Sequence, residues 1–184
     1  MLRLGVIALV VTGVVIAVVA GRPTKAEPSR PACDGFDFPV GAPDGVGYYD
    51  AQRFGENDHL GNDWNGNGGN DTDLGDPIYA VSSGVVTEAI DHGGAWGNVV
   101  RIAHPCGVES LYAHLDVIGV DVGMSVRRGQ QIGTLGDAHG RYRAHLHFEL
   151  RDRPLPLGEG YSQFHNGYLD PTSYIRAHRP TASN

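Results

Sequence analysis

The segment of residues 58–76, DHLGNDWNGNGGNDTDLGD, is rich in side chains that can bind a metal ion. Read from His59 it contains H-x-x-x-D, in which an imidazole and the carboxylate of Asp63 could form half of a zinc site. Read from Asp63 it contains D-x-N-x-N-G, the pattern that opens a calcium-binding EF-hand loop. The two interpretations assign Asp63 to different metals, so residues elsewhere in the chain must distinguish them.

The EF-hand interpretation fails on the residues that follow. Such a loop needs a bidentate acid at its twelfth position, where this chain has Leu74, and it needs an amphipathic helix on each side. The flanks instead contain the helix breakers Gly55, Gly75 and Pro77. We interpret residues 65–76 as a surface loop of turn-forming residues, and calcium bound by an Asx-rich turn of another kind stays open as an alternative.

A second set of candidate ligands lies in the stretch AHLHFEL, residues 144–150, whose alternating pattern predicts a β-strand. The polar face of this strand would carry His145, His147 and Glu149, so two imidazoles point the same way. The apolar face would carry Ala144, Leu146, Phe148 and Leu150. Glu149 could orient a metal ligand from behind, or it could be a solvated strand acid.

The stretch SLYAHL, residues 110–115, predicts another strand with a histidine on its outer face. The expected outward side chains are Tyr112 and His114, and the expected inward ones are Leu111, Ala113 and Leu115. If the two strands lie near each other in one sheet, His114 joins the histidines of the HLH stretch on one surface. An imidazole from that stretch would complete H-x-x-x-D to two nitrogens and one oxygen with an open fourth position, the ligand set of a hydrolytic zinc site.

The remaining histidines have simpler interpretations, because a lone histidine is most often a half-exposed polar residue with a hydrogen bond. We predict surface positions for His92, His104, His165 and His178. His139 precedes the HLH stretch and could reach a substrate, although a structural role is the preferred interpretation.

Composition predicts one turn-rich domain built mainly from β-strands, since 41% of the 184 residues are hydrophobic and 27 are glycine. Two strands are expected around Ser83 and Gly84, a hairpin around Pro105 and Gly107, and a short helical turn in PTSYIRAH near the C-terminus. The net charge is -7 and no basic stripe is present, which argues against nucleic acid as a partner.

The N-terminal residues predict export from the cytoplasm. Arg3 is followed by an uncharged apolar run over residues 4–21, with Ala20 placed for cleavage, and the same run is long enough to be an uncleaved membrane anchor. The predicted division of the chain is a signal peptide or anchor over residues 1–21, a linker over 22–35, a folded domain over 36–176 and a tail over 177–184. The domain is expected to work in the periplasm or the cell-wall space.

Two cysteines, Cys33 and Cys106, are the only ones in the chain. In an exported protein an even pair is expected to be bridged rather than free. The bridge would join the end of the linker to the turn HPCG.

Four elements in this order make the chain similar to the lysostaphin-like, or LytM-type, zinc endopeptidases. They are H-x-x-x-D at 59–63, LYAHL at 111–115, VRRGQQIGTLG at 126–136 and HLHFEL at 145–150. The resemblance covers residues 36–176. It implies an antiparallel β fold with a duplicated hybrid motif, related to the lipoyl-like barrel-sandwich, and hydrolysis of peptide bonds in bacterial peptidoglycan. The segment WNGNGGNDTDLGD is longer than the turn that many members have at this place.

The resemblance also implies a role for each candidate residue. His59, Asp63 and His147 look like the zinc ligands, and His114 and His145 look like the catalytic histidines. No H-E-x-x-H sequence occurs, so no glutamate lies one turn from a ligand as a base, and the two catalytic histidines are the groups available to manage the proton and the oxyanion. Peptidoglycan peptides would be the binding partners, with D-alanyl crosslinks preferred to glycine bridges.

Two other functions stay open at this point. Relatives in this family that have lost ligands bind and activate other cell-wall hydrolases without catalysis. Two histidines and a carboxylate also form the facial triad of non-haem iron oxygenases, although the H-x-x-x-D spacing and the export segment argue against that class. All five expected polar residues are present, which favours a zinc endopeptidase.

Overall fold

The structure, a computed structural model, describes residues 32–159 and 165–180 of the chain. In these ranges the chain forms eleven β-strands and one α-helix. In chain order they are β1 Tyr48–Gln52, β2 Asn62–Gly66, β3 Pro77–Tyr79, β4 Gly84–Asp91, β5 Asn98–Ala103, β6 Glu109–Leu115, β7 Val117–Ile118, β8 Ser125–Val126, β9 Gln131–Thr134, β10 Leu146–Arg151, β11 Tyr168–Leu169 and α1 Pro171–Ala177. Within the described ranges no helix has the length and apolar character to cross a membrane. The predicted export segment, the linker up to residue 31 and residues 181–184 lie outside the described residues.

Most strands belong to one sheet with the order β1-β2-β10-β6-β5-β4-β8, and β11 is added beside the end of β10. A smaller sheet has the order β3-β9-β7. The strand pairs are antiparallel in both sheets. The predicted mainly β, antiparallel class is therefore confirmed. Strands β2, β10 and β6 are direct neighbours at the centre of the large sheet, and all the candidate site residues lie on or beside these three strands.

Two predicted local elements are confirmed. Strands β5 and β6 form the expected hairpin, whose turn closes with His104 N–H donating to the carbonyl of Val108 at 2.9 Å. Gly107 has φ 86° in this turn, a conformation that glycine adopts without strain. The C-terminal helical turn is α1, where the side chain of Asp170 accepts a hydrogen bond from Ser173 N–H as an N-cap.

The apolar face of β10 packs into the main core of the domain. All four side chains predicted for this face are fully buried, namely Ala144, Leu146, Phe148 and Leu150. The ring of Phe148 lies 5.2 Å from that of Tyr112 on the neighbouring strand β6. Because this face is anchored in the core, the opposite face of β10 must present its histidines and its glutamate away from the core.

Strand β6 contradicts the predicted orientation of its side chains. Cross-strand pairing places Tyr112 opposite Phe148 and Ala113 opposite His147, so Tyr112 points into the core while Ala113 shares the face of the histidines. All seven residues of β6 are buried, so both faces of the strand are covered and its apolar pattern cannot distinguish them. The outward prediction for Tyr112 and the inward predictions for Leu111 and Ala113 are wrong.

The two cysteines form the predicted disulfide. Cys33 is bonded to Cys106, which ties the N-terminal segment to the turn between β5 and β6. Next to it, the carboxylate of Asp34 accepts hydrogen bonds from Ser82 Oγ at 2.8 Å and from Ser83 Oγ at 2.7 Å. The chain just before Phe36 is thus attached to the domain at two places.

The acidic loop after β2 supports the strand that carries the HLH stretch. The interpretation of residues 65–76 as a surface loop is wrong in part, because β2 continues through Gly66 and Asp73 is buried. The carboxylate of Asp73 accepts a hydrogen bond from Gly66 N–H at 2.7 Å, and that of Asp71 accepts one from Ala144 N–H at 2.8 Å. The Asp73 contact therefore holds the end of β2, and the Asp71 contact holds the backbone just before β10.

Candidate metal centre

Three side chains around strands β2 and β10 each bring one ligand atom to the same point. His59 Nε2 lies 3.0 Å from His147 Nδ1 and 3.2 Å from Asp63 Oδ1, and His147 Nδ1 lies 2.9 Å from the same oxygen. Both imidazoles are buried, and Asp63 is partly exposed. Among the residues that the structure describes, this is the one group of His, Cys, Asp or Glu side chains close enough together to hold a metal ion.

The pairing register of β2 and β10 brings these ligand atoms together. Asp63 on β2 is directly opposite His147 on β10, so their side chains share one face of the sheet. His59 precedes β2, and the chain between it and Asp63 passes very close to β10. A Cβ atom at Gly61 would lie 2.2 Å from the carbonyl oxygen of Phe148, so only glycine allows this approach. The H-x-x-x-D motif thus depends on a glycine at its centre.

The three atoms fit a zinc ion. A tetrahedral zinc with bonds of about 2.0–2.1 Å keeps its ligand atoms about 3.3 Å apart. The separations of 2.9, 3.0 and 3.2 Å form a triangle close to that size. Two imidazole nitrogens and one carboxylate oxygen leave a fourth position for water or substrate. The predicted ligands are thus together in space, and their role in binding zinc stays a prediction.

The same proximity changes the acidity of two of these groups. Burial would raise the pKa of Asp63, but hydrogen bonds with His147 and His59 outweigh it and hold that pKa well below its usual range. Burial would lower the pKa of His147, but the carboxylates of Asp63 and Glu149 raise it to about 9. Asp63 is therefore an anion at neutral pH, the form that binds a cation. A metal ion at His147 must displace its proton, so binding should release protons.

Glu149 lies behind the predicted ligand His147. Its side chain is fully buried, and Oε1 is 2.9 Å from His147 Nε2. Despite burial, the contacts with His147 and Arg151 lower the pKa of Glu149, so it is a carboxylate that accepts from the imidazole N–H. Once a metal displaces the proton on Nδ1, this hydrogen bond keeps the other proton on Nε2 and leaves the Nδ1 lone pair facing Asp63 and His59, which is the usual arrangement behind a metal-binding histidine. The alternative of a solvated strand acid is wrong.

The two predicted catalytic histidines lie next to the three ligand atoms. Their ring centroids are 4.7 Å apart, and His145 Nε2 is 3.9 Å from Asp63 Oδ2. His114 Nδ1 donates to the carbonyl of Trp96 at 3.2 Å, and His145 Nδ1 donates to the carbonyl of Arg143 at 2.7 Å. This assignment of tautomers leaves both Nε2 atoms free to accept a proton. Burial, helped by the neighbouring His147 and His145, lowers the pKa of His114 to about 3, so that imidazole is neutral.

His114 reaches this face only because the backbone of β6 is irregular. Its φ is 65°, in the left-handed region that a side chain other than glycine rarely adopts, and the pairing with β5 shifts register beside it. The carbonyl of Trp96 accepts both from His114 N–H, at 3.0 Å, and from the imidazole, which holds the bulge. Simple alternation would have sent His114 to the core face with Tyr112. The outward position of His114 is as predicted, but the reason is the bulge.

Aromatic side chains that the sequence reasoning missed form the walls of the site. A cavity of about 280 Å³ opens beside His147 and is lined also by Ala95, Trp96, Tyr142 and Gly158. The Tyr142 ring is 5.1 Å from that of His114 and 5.7 Å from that of His145. Trp96 packs edge-on against His147 at 5.6 Å. The sequence offered one signal for the role of Trp96, since it is a large aromatic residue inside the glycine-rich run GGAWG.

One of the histidines predicted at the surface is instead buried. His104 lies between the carbonyl of Ser83, 3.0 Å from Nδ1, and Ser110 Oγ, 2.8 Å from Nε2, and burial lowers its pKa. The prediction failed because a carbonyl 21 residues away and a hydroxyl six residues away hydrogen-bond the two ring nitrogens. His92 and His178 are exposed as predicted, and His165 is half-buried. His139 is exposed and pairs with Asp91 at 3.1 Å, away from the three ligand atoms.

Comparison with known proteins agrees with this geometry. Residues 58–160 match Peptidase family M23. The chain is 41% identical over 83 residues to the DD-carboxypeptidase/endopeptidase Mpg of Neisseria meningitidis, a match that covers 45% of this chain and 19% of that protein. It is 40% identical over 84 residues to the peptidoglycan DD-endopeptidase ShyA of Vibrio cholerae, covering 46% of this chain and 19% of that protein. The chain thus spans about a fifth of the length of these relatives.

The fold comparison points to the same family. The structure of the antimicrobial peptidase lysostaphin from Staphylococcus simulans superposes with a TM-score of 0.50 and 26% identity. This similarity covers 68% of the present chain and 47% of the lysostaphin chain. The family match extends over more than half of the 184 residues and includes every residue of the site. The chain therefore belongs to peptidase family M23.

Proposed function

We propose that the protein is an exported zinc endopeptidase that hydrolyses peptide crosslinks of bacterial peptidoglycan. The observation that carries this proposal is the convergence of His59, Asp63 and His147, with two further histidines next to the same centre. Binding alone would need no proton acceptors beside the ligand atoms. Residues 1–21, as a signal or an anchor, would bring the domain to the periplasm or the cell-wall space.

The five residues divide into metal binding and proton transfer. Zinc held by His59, Asp63 and His147 supplies Lewis acidity, which polarises a carbonyl and makes water more acidic. His114 is held through Nδ1 with Nε2 free, so we assign to it a hydrogen bond that orients the attacking water. His145 is less buried, lies on the Asp63 side and has Nε2 free, so we assign to it the proton that the attacking water loses; the resulting Nε2–H then hydrogen-bonds to the oxyanion and transfers that proton to the leaving amine.

The shape of the cavity favours an extended peptide with small side chains. Its volume of about 280 Å³ lies between Trp96 and Tyr142, with Gly158 at its rim, and leaves no room for the surface of a folded protein. Two relatives with about 40% identity are named DD-endopeptidases, which supports D-alanyl crosslinks over glycine bridges as the substrate.

The test is digestion of purified sacculi with different crosslinks, followed by mass analysis of the released fragments. We expect cleavage at D-alanyl crosslinks by the wild type and no cleavage by the His147→Ala variant. Metal analysis of protein purified without added metal distinguishes zinc from iron. Muropeptide dimers that remain intact after prolonged digestion, with zinc bound, would contradict the proposal and would favour a role in activating other hydrolases.

A further inference from the structure

Arg151, at the end of β10, is a fully buried arginine close to the candidate metal centre. Its Nε donates to Glu149 Oε2 at 2.7 Å, and its Nη2 lies 2.6 Å from the same oxygen. Its Nη1 donates to Glu109 Oε1 at 3.3 Å. The other oxygen of Glu149 accepts from His147, so one carboxylate joins the arginine to a predicted zinc ligand.

The arginine belongs to a row of alternating charges across four strands. Next to Arg151 in this row is Glu109 on β6, and next to Glu109 is Arg101 on β5, whose Nη1 lies 3.9 Å from Glu109 Oε1. The Nε of Arg101 lies 3.2 Å from Oε1 of Glu88 on β4. Burying a guanidinium and two carboxylates is no general route to stability, because desolvation offsets much of their attraction. We therefore expect these charged side chains to hold neighbouring groups in position.

The second group that Arg151 holds is the chain segment of residues 152–159. The carbonyl of Leu155 accepts hydrogen bonds from both Arg151 Nη1 and Arg101 Nη1, each at 2.8 Å. Two residues later, Leu157 packs on the small cluster formed by Val99, Leu111 and Ala113 on the site face of the sheet. Gly158 then lines the cavity beside His147. The two arginines thus fasten a segment that forms one wall of the cleft.

We propose that Arg151 is a positioning residue that serves the metal centre and the cleft wall together. Through Glu149 it fixes the ring of His147, and through the Leu155 carbonyl it sets the position of Gly158. Without the guanidinium, Glu149 Oε2 has no partner to resist rotation of the carboxylate away from His147. The proposal rests on the proposed function, because it takes His147 as a zinc ligand.

Three variants separate the two tasks. Arg101→Lys removes one donor to the Leu155 carbonyl and leaves Glu149 untouched, so KM for a crosslinked muropeptide dimer should rise while zinc affinity is unchanged. Glu149→Gln removes the carboxylate charge behind His147 and leaves both arginine donors to the Leu155 carbonyl in the chain, so zinc affinity should fall about 10- to 100-fold, the usual effect of losing such a partner. Arg151→Lys keeps a positive charge but loses the several N–H donors of the guanidinium, so KM should rise and zinc affinity should fall. Arg127→Lys, at an exposed arginine between β8 and β9, is the matched control and should show neither.

Zinc affinity is measured by competition with a chelator, and KM on protein saturated with zinc. The visible spectrum of the Co²⁺-substituted protein should change for Glu149→Gln and Arg151→Lys, because it reports ligand geometry, and should be unchanged for Arg101→Lys. If Arg151→Lys does not fold, Glu149→Gln still decides the link to the metal. Wild-type zinc affinity in folded Arg151→Lys or Glu149→Gln would overturn the proposed role of Arg151 and would leave the proposed function standing. A wild-type protein that binds no zinc would overturn the proposed function and this role together.

Discussion

The assignment within the HLH stretch is best tested by two alanine variants on one strand face, His145→Ala and His147→Ala. His147 Nδ1 is within 3.0 Å of both other ligand atoms, whereas His145 approaches only the second oxygen of Asp63, at 3.9 Å. We therefore expect His147→Ala to lose zinc and activity together. His145→Ala should retain zinc and lose only activity.

The magnitudes follow from the contacts of each ring. At zinc concentrations 100 times the dissociation constant, bound zinc stabilises the wild type by about 2.7 kcal/mol, and this increment should vanish in His147→Ala. The same variant leaves the buried carboxylate of Glu149 without its imidazole, which costs about 1–3 kcal/mol more. His145→Ala loses one hydrogen bond to the Arg143 carbonyl, worth about 1 kcal/mol, and a proton carrier worth about 10²–10⁴ in rate.

Three measurements suffice for each protein: bound zinc after dialysis, thermal unfolding with and without zinc, and the rate of cleavage of a crosslinked muropeptide. His92→Ala, at an exposed histidine away from the cavity, is the control and should match the wild type in all three. Loss of zinc from His145→Ala with retention in His147→Ala would reverse the assignment. Loss of zinc from both would make His145 a fourth ligand and would refute the open position that the mechanism needs.

Three further outcomes are expected from the structure. Replacing Cys33 and Cys106 by serine should lower the free energy of unfolding by about 4 kcal/mol, since the bridge closes a loop of 73 residues; chemical denaturation measures this, and an unchanged midpoint would contradict it. Burial raises the pKa of Asp50 to about 6, above its value of 3.8 in the unfolded chain, so stability should fall as pH rises between these values. Asp50→Asn should then melt higher than the wild type at pH 7.5, with the gap closing near pH 4, and a lower melting temperature at pH 7.5 would count against this. Gly61→Ala should lower stability by about 1–3 kcal/mol or prevent folding, because its Cβ would meet the Phe148 carbonyl, and wild-type melting would show that the strands can separate there.

The fold class and most of the site could be predicted from local pattern. Alternation in AHLHFEL placed His145, His147 and Glu149 on one face, because only one side of β10 is strongly apolar. The same argument failed for β6, whose two faces are both buried, so that polarity no longer distinguishes them. It failed for His104 as well, because the Ser83 carbonyl that accepts from Nδ1 and the Ser110 hydroxyl that donates to Nε2 come from a connection and a strand outside the HPCG turn.

The sequence by itself determined the residue types of the centre and the strand face that carries His145, His147 and Glu149. These are properties of short segments, in which spacing and side-chain chemistry are sufficient. Only the tertiary structure decided the left-handed turn at His114, the aromatic walls at Trp96 and Tyr142, and the buried link from His147 through Glu149 to Arg151. The turn and the aromatic walls depend on contacts between segments far apart in the chain, and the link along β10 depends on its burial, which exists only after the strands have paired.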